Sequence, residues 1–228
     1  MKRVKIGGLD CVEISGESSN KVCIVLLHGY GSSSDDLAPL SRINSKIRWI
    51  FPQAPNEIQF SPSYTGYGWF PVDVMKMQEA VSQGKFEVIE HALEKGLDQA
   101  SEKLEKFLKE LDMPLENIIL GGFSQGAVVS IDTALRLPEQ IRGLIILSGT
   151  LTHAKIWEKR AKLKPKLPFF MSHGKHDDVL PYELACKLDT LLQKCGLAGK
   201  MTSFNGGHEV PYSLLLELQP FLETVIAN

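Results

Sequence analysis

Long apolar runs are missing from this sequence. No stretch without a charged residue exceeds fifteen residues; Asn117–Ile131 is one of that length, with three glycines, too short and too glycine-rich to cross a bilayer. The start, Met1–Asp10, is basic but has no apolar stretch behind it, so neither a secretion signal nor lipidation of Cys11 is expected. Cysteine is scarce: Cys11, Cys23, Cys186 and Cys195, with no CxxC and no mixed Cys/His spacing. That pattern speaks against a disulfide framework and a zinc site. Cys186 and Cys195, nine residues apart in one expected helix, fall on opposite faces. Surplus charge is missing as well: 25 basic and 27 acidic residues give a net charge of −2, without the basic surplus of a nucleic-acid binder. Neither GxxxxGK[ST] nor GxGxxG occurs. With 43% hydrophobic and 23% charged residues, the chain has the composition of a folded soluble protein rather than a disordered one. A cytoplasmic protein without nucleic-acid partners or stable membrane insertion is expected.

What is present is alternation. Short apolar runs predict strands at Val4–Ile6, Val12–Ile14, Val22–Leu27, Arg48–Phe51, Asn117–Leu120, Ile141–Leu147, Pro168–Ser172 and Lys200–Ser203, and Gly7-Gly8 predicts a hairpin between the first two. Unbroken runs such as Val22–Leu27 fit strands buried on both faces of a parallel sheet. Helices are expected at Asp35–Ser45, Phe86–Leu111, Ser124–Leu137, His153–Leu163, Pro181–Cys195 and Pro211–Ile226. His91 lies off the apolar stripe of its helix and is expected in solvent. Six basic residues against one acid in Lys155–Lys166 predict a solvated helix face. No linker or repeat divides the chain, so residues 1–228 are expected to form one α/β domain with ligands at the carboxyl ends of the strands. Pro52–Gln83 is expected to be a long irregular loop; its aromatic and Met content suits a wall or lid over a site.

The chemistry follows the strands. After Asn117–Leu120 comes Gly122-Phe-Ser124-Gln-Gly126, a G-x-S-x-G. A serine on a sharp strand-to-helix turn needs small residues two positions away on each side. A helix merely starting at a Gly/Ser turn, with Ser124 as its N-cap, would give the same five residues. A serine nucleophile also requires a base and an orienting acid. The order Ser, Asp, His is supplied by Asp177, in His173-Gly-Lys-His-Asp177-Asp178, and by His208, in Gly207-His208-Glu. An oxyanion is best held by two N–H donors; Gln125, after the serine, and Tyr30, in His28-Gly-Tyr-Gly31, are the candidates. His28 is expected to support that loop rather than react. His173, His176 and Asp177 lack the one-face spacing of a metal site.

These segments, with Phe51-Pro-Gln-Ala-Pro55, Trp69-Phe70 and Leu147-Ser-Gly149, resemble the phospholipase/carboxylesterase branch of the α/β-hydrolases, which includes the acyl-protein thioesterases. The resemblance implies an α/β-hydrolase fold, a mostly parallel central sheet flanked by helices without a large cap domain, acting on esters or thioesters with no metal or organic cofactor. It implies Ser124 as nucleophile, Asp177 as acid, His208 as base, and the amides of Tyr30 and Gln125 as the oxyanion hole. Tyr67, Trp69 and Phe70 are expected to contact substrate. Two departures bear on substrate choice: Tyr30 and Ser32 stand where the family often has Leu and Asp, and Pro71 follows Trp69-Phe70 where many thioesterases have Asp. The expected activity is a carboxylesterase of short-to-medium acyl chains, with a lysophospholipase or acyl-protein thioesterase as alternative. A catalytically silent hydrolase-fold binding protein is disfavoured by the intact Ser/Asp/His set. The expected partner is a small-molecule ester or thioester, and a homodimer is compatible with the sequence.

Overall fold

The computed structural model of the chain describes residues 1–17 and 21–227. An eight-stranded sheet is built from β1 (Lys2–Ile6), β2 (Leu9–Ile14), β3 (Cys23–Leu27), β4 (Arg48–Pro52), β7 (Ile118–Phe123), β8 (Gly143–Leu147), β9 (Pro168–Gly174) and β10 (Ala198–Phe204), in the order β1-β2-β4-β3-β7-β8-β9-β10. β2 pairs antiparallel with β1 and β4, and every other neighbouring pair is parallel. Gly7 and Gly8, both at positive φ, make the β1–β2 turn, the two-residue hairpin the sequence predicts.

The unbroken apolar runs feed two cores. Cys23, Val25 and Leu27 face one layer, together with Leu104, Phe107, Val128, Ile131, Trp157, Leu184 and Leu188. Ile24 and Leu26 face the other, against Leu37, Leu40, Leu214, Leu218 and Leu222. The first layer contains α3 (Leu97–Lys109), α4 (Gln125–Arg136), α5 (Ala154–Ala161) and α6 (Tyr182–Lys194); the second contains α7 (Tyr212–Ala227) and a short 3-10 helix, Ala38–Ile43. Alternate residues of one strand thus bury on opposite faces, and neither can be polar.

Four expectations need correction. The helix expected over Asp35–Ser45 is confined to that 3-10 turn, which Pro39 opens. Pro52–Gln83 is not irregular: it forms a hairpin, β5 (Asn56–Ser61) and β6 (Tyr64–Gly68), then α1 (Val74–Ser82), N-capped by Asp73. The basic stretch is only partly a solvated face. The Lys164 ammonium is buried on the Leu137, Pro138 and Glu139 carbonyls beyond α4, and Arg160 pairs with the buried Asp132 carboxylate, which also accepts from Trp157 and Arg136. Cations at helix C-termini are favourable because the last carbonyls lack intrahelical partners.

The fourth correction is the expected long helix, which is two: α2 (Phe86–Glu94) and α3. Gly96 separates them at φ 92°, and a Cβ there would lie 2.8 Å from Phe70 Cβ. The break is where the segment after β6 packs against the helical layer. His91 is exposed, as expected, beside Glu94. Gly96→Ala should destabilise by about 1–2 kcal/mol from the left-handed backbone alone, and by more from the Phe70 contact. Urea titration should show a lower midpoint with an unchanged slope.

Candidate active site

β7 ends at Phe123 and α4 begins at Gln125, leaving Ser124 alone in the turn at φ 56°, ψ −121°. A Cβ on Gly122 would lie 2.5 Å from the Gly126 carbonyl carbon, and one on Gly126 would lie 2.4 Å from the Leu27 carbonyl oxygen. Larger residues at either position would force the turn open. The Ser124 N–H is tied to the Leu147 carbonyl at 2.9 Å. Ser124 occupies the N-cap position, but its hydroxyl does not cap the helix. It lies 2.8 Å from His208 Nε2, which excludes the simple N-cap reading.

His208 follows β10 on the loop toward α7. Gly174 allows that loop to cross the end of β9, since a Cβ there would lie 2.2 Å from the Gly207 carbonyl oxygen. His208 Nδ1 lies 2.7 Å from Asp177 Oδ2, and the ring packs on Phe123 with centroids 4.8 Å apart. With a carboxylate at Nδ1, that nitrogen carries the proton and Nε2 is left to accept from the serine hydroxyl. Asp177 Oδ1 accepts the N–H groups of Val179 and Leu180 at 2.9 and 2.8 Å. Burial alone would raise the Asp177 pKa, but hydrogen bonds from His173 and His208 and the Leu180 amide outweigh it, and the carboxyl is held well below the usual carboxylate range. Asp178 is exposed. β9 runs past its expected end to include His173, whose Nε2 meets the Leu180 carbonyl, whereas His176 turns outward to Asn205. The two histidines therefore diverge, and no metal-binding group of three or more His, Cys, Asp or Glu occurs among the described residues.

The loop after β3 borders the serine: a Cβ on Gly29 would lie 3.3 Å from Ser124 Cβ. His28 is buried, with Nδ1 2.8 Å from the Gly29 carbonyl and Nε2 3.0 Å from the Ala54 N–H. Nδ1 must then hold the proton, and burial lowers the pKa of this histidine, so it stays neutral and orients the Gly29–Tyr30 peptide, as expected of a supporting residue. The Gln125 amide is the first N–H of α4 and has no intrahelical acceptor. Neither it nor the Tyr30 amide has a hydrogen-bond partner among the described residues. A hydroxyl, an imidazole, a buried carboxylate and two free amides around one point suit attack on a carbonyl and storage of the resulting oxyanion.

Beside Ser124 and His208 opens a pocket of about 360 Å³, walled by Tyr30, Phe60, Val72, Val74, Met77, Leu93, Phe123, Val179 and Leu180, with Ser32, Asp36, Gln78 and Gln125 also among its polar lining. Tyr67, Trp69 and Phe70, expected to contact substrate, are not among the residues lining this pocket. Trp69 is buried behind the loop, its indole donating to the His28 carbonyl at 2.9 Å. The Gln125 side chain accepts from the Trp69 N–H and donates to the Phe70 carbonyl, both at 2.8 Å. Tyr67 pairs through its backbone with Gly31 and Ser32. Phe60 and Met77 belong to the aromatic and Met-rich segment that marked the wall. Val72 and Val74 lie in the same segment, whereas Leu93, Val179 and Leu180 carried no sequence signal beyond being apolar.

Comparison with known proteins agrees with this geometry. The phospholipase/carboxylesterase family profile matches residues 10–226. Acyl-protein thioesterase 1 of Candida albicans is 28% identical over 227 residues, covering 92% of this chain and 94% of that protein. Among solved structures, esterase PE8 is 29% identical with a TM-score of 0.82, covering 97% of this chain and all of that one. The carboxylesterase of Bacillus cereus, 18% identical over 95% of this chain and 94% of its own, shares the fold with a TM-score of 0.73. The strained serine turn, the hydroxyl–imidazole–carboxylate relay and the match over nearly the whole length make this chain a member of the phospholipase/carboxylesterase family, with the α/β-hydrolase fold.

Proposed function

We propose that this family member is a single-domain cytoplasmic serine carboxylesterase that cleaves esters or thioesters of short-to-medium acyl chains through an acyl-enzyme. The observation that carries the proposal is the relay from Ser124 Oγ to His208 Nε2 and from His208 Nδ1 to Asp177 Oδ2, at 2.8 and 2.7 Å. In the first half-reaction His208 takes the Ser124 proton as Oγ attacks the carbonyl carbon. The oxyanion gathers on the Tyr30 and Gln125 amides, and His208 returns the proton to the departing alkoxide or thiolate. Water repeats the sequence on the acyl-enzyme and regenerates the serine.

The acyl range rests on the pocket. Its volume, about a dozen times the share of one liquid water, about 30 Å³, suits a short-to-medium chain, and Met77 and Leu93 are buried at its wall. A second reading, a long-chain lysophospholipase or acyl-protein thioesterase, draws on Phe60 and Val74: both line the pocket yet are 50% and 41% exposed. A longer chain could leave the pocket over them.

Four results test the proposal. A fluorophosphonate should label Ser124, and Ser124→Ala should lose labelling and nearly all turnover; labelling elsewhere with full activity in that variant refutes the mechanism. Asp177→Asn should lower kcat by up to about 10⁴-fold, by analogy with the tautomer error in a serine protease triad, while Asp178→Asn should change it little, as measured by steady-state hydrolysis of a p-nitrophenyl ester.

The pH dependence has a definite sign. Because the folded-state pKa of Asp177 is depressed, the carboxylate stays charged as pH falls through the mildly acidic range, and its contribution to stability is lost only on further acidification, through the folded-state pKa. The acid limb of kcat/KM should therefore follow a single proton, and a two-proton slope above pH 5 would overturn the assignment.

For chain length, each buried methylene contributes about 0.8 kcal/mol, close to fourfold in kcat/KM if the burial persists in the transition state. Across monomeric p-nitrophenyl esters the rate should peak at a short or medium chain, and Leu93→Phe should move the peak shorter. A steady rise through the longest soluble chain would favour the second reading. Trp69→Ala should lower kcat across all chains without moving the peak.

A further inference from the structure

The relay leaves one buried imidazole unassigned. His173 is fully buried at the end of β9 and is held there by pairing with Ser203 of β10. Its Nε2 lies 2.8 Å from the Leu180 carbonyl oxygen and 3.2 Å from Asp177 Oδ2. Both neighbours are acceptors, so Nε2 carries the proton; Nδ1 has no partner among the described residues.

We propose that His173 is a positioning residue for the acid of the relay, its strand-borne Nε2–H holding Asp177 Oδ2 and the Leu180 carbonyl together. The inference rests on the proposed serine-esterase mechanism and adds a residue to it. Asp177 sits in the turn after β9, where its backbone alone fixes it through one long bond, its N–H to the Gly174 carbonyl at 3.3 Å. The contacts close a ring: Asp177 Oδ1 accepts the Leu180 N–H, the Leu180 carbonyl accepts from His173 Nε2, and the same Nε2 lies 3.2 Å from Asp177 Oδ2. With His208 on Oδ2 and Val179 on Oδ1, four donors surround the carboxylate. Neither oxygen can turn away from His208 without abandoning one of them. The same ring fixes Val179 and Leu180, which wall the substrate pocket, so acid and pocket wall are set by one imidazole. His173 touches no reacting atom and acts through Asp177.

The test compares His173→Gln, His173→Asn and His173→Phe with the wild type on one p-nitrophenyl ester, after thermal unfolding has shown that each variant folds. Gln places an N–H near the position of Nε2; Asn is too short to reach both acceptors; Phe keeps the ring and removes the donor. His173→Asn and His173→Phe should lose about tenfold to a hundredfold in kcat, the scale of an ångström-sized misplacement, with KM changed less than about twofold. His173→Gln should recover most of the loss. The acid limb of kcat/KM should shift to higher pH in the Asn and Phe variants. A carboxylate with one donor fewer is more basic and stabilises protonated His208 better. The titratable groups facing one another there are Asp177, His208 and His173, with Tyr182 of α6 packed on the His173 ring at a centroid distance of 6.2 Å. If Phe fails to fold, the Gln and Asn pair carries the comparison. Gln and Asn equally impaired, or Asn and Phe both at wild-type kcat with an unmoved acid limb, would overturn the proposal. A wild type that neither cleaves esters nor takes the fluorophosphonate would instead refute the esterase mechanism itself.

Discussion

The backbone of Ser124 governs the architecture around it. An L-residue at φ 56°, ψ −121° lies outside the favourable regions, and it persists only where its surroundings fix it. Here β3 and β8 flank β7 in parallel, Leu147 accepts the Ser124 N–H, and α4 starts at once beneath the turn, buried from Gln125 to Leu135. The helix can come so close because Gly122 and Gly126 present no Cβ to each other or to β3. The strain keeps the hydroxyl off the helix end and the first amide of α4 free. Both are conditions for acyl transfer, and neither would hold in a relaxed N-cap.

Two buried acids show how surroundings decide the use of a charge. Asp132 is surrounded by Trp157, Arg136 and Arg160 and ties α4 to α5; all its partners belong to the scaffold. Asp177 is as fully buried, but one of its donors is His208, whose other nitrogen faces the serine. A charge paired only with fixed partners stabilises a fold. One whose partner can gain a proton stabilises that gain, and the low effective dielectric of the interior enlarges the effect. The buried thiols contrast with both. Burial, with the Glu13 carboxylate nearby, pushes the pKa of Cys11 and Cys23 up to about 12, so they stay protonated.

The sheet and the relay were legible in the sequence because they depend on local pattern and on order. Apolar runs identify doubly buried strands, and the parallel topology brings the residues after β7, β9 and β10 to one edge, so Ser124, Asp177 and His208 could be named without knowing a distance. Parts of the fold set by long-range contact were not legible. Apolar spacing from Phe86 to Leu111 continues across Gly96 with no visible break, because what ends the helix is Phe70 packing from another segment. Lys164 reads as a surface lysine until Leu137, Pro138 and Glu139 supply carbonyls. The pocket wall was only partly legible: residue type marked Phe60 and Met77, but it also marked Trp69 and Tyr67, whose contacts face the supporting loop. Aromatic content reports that a segment packs, not on which side.

Tyr67, Trp69 and Phe70 show how the pocket wall and the loop after β3 are joined. Gly31 and Ser32 pair with Tyr67, Trp69 donates to the His28 carbonyl, and Gln125 holds the Trp69–Phe70 backbone from the far side of the serine. The free Tyr30 and Gln125 amides are therefore braced by the chain that continues into the wall. Substitutions within Tyr67–Phe70 cannot change the pocket without loosening those amides, so they would alter turnover for every substrate. Phe60, Val72, Val74 and Met77 line the pocket. The Val72 carbonyl accepts from the Tyr30 hydroxyl and Phe60 packs edge-on against the Tyr30 ring, whereas no hydrogen bond links Val74 or Met77 to the loop or to Gln125 among the described residues. The pocket can be reshaped at Val74 and Met77 while the Tyr30 and Gln125 amides stay in place. The division separates positions free to set substrate choice from positions bound to the common chemistry, and it places Trp69, the most conspicuous aromatic of the segment, with the chemistry.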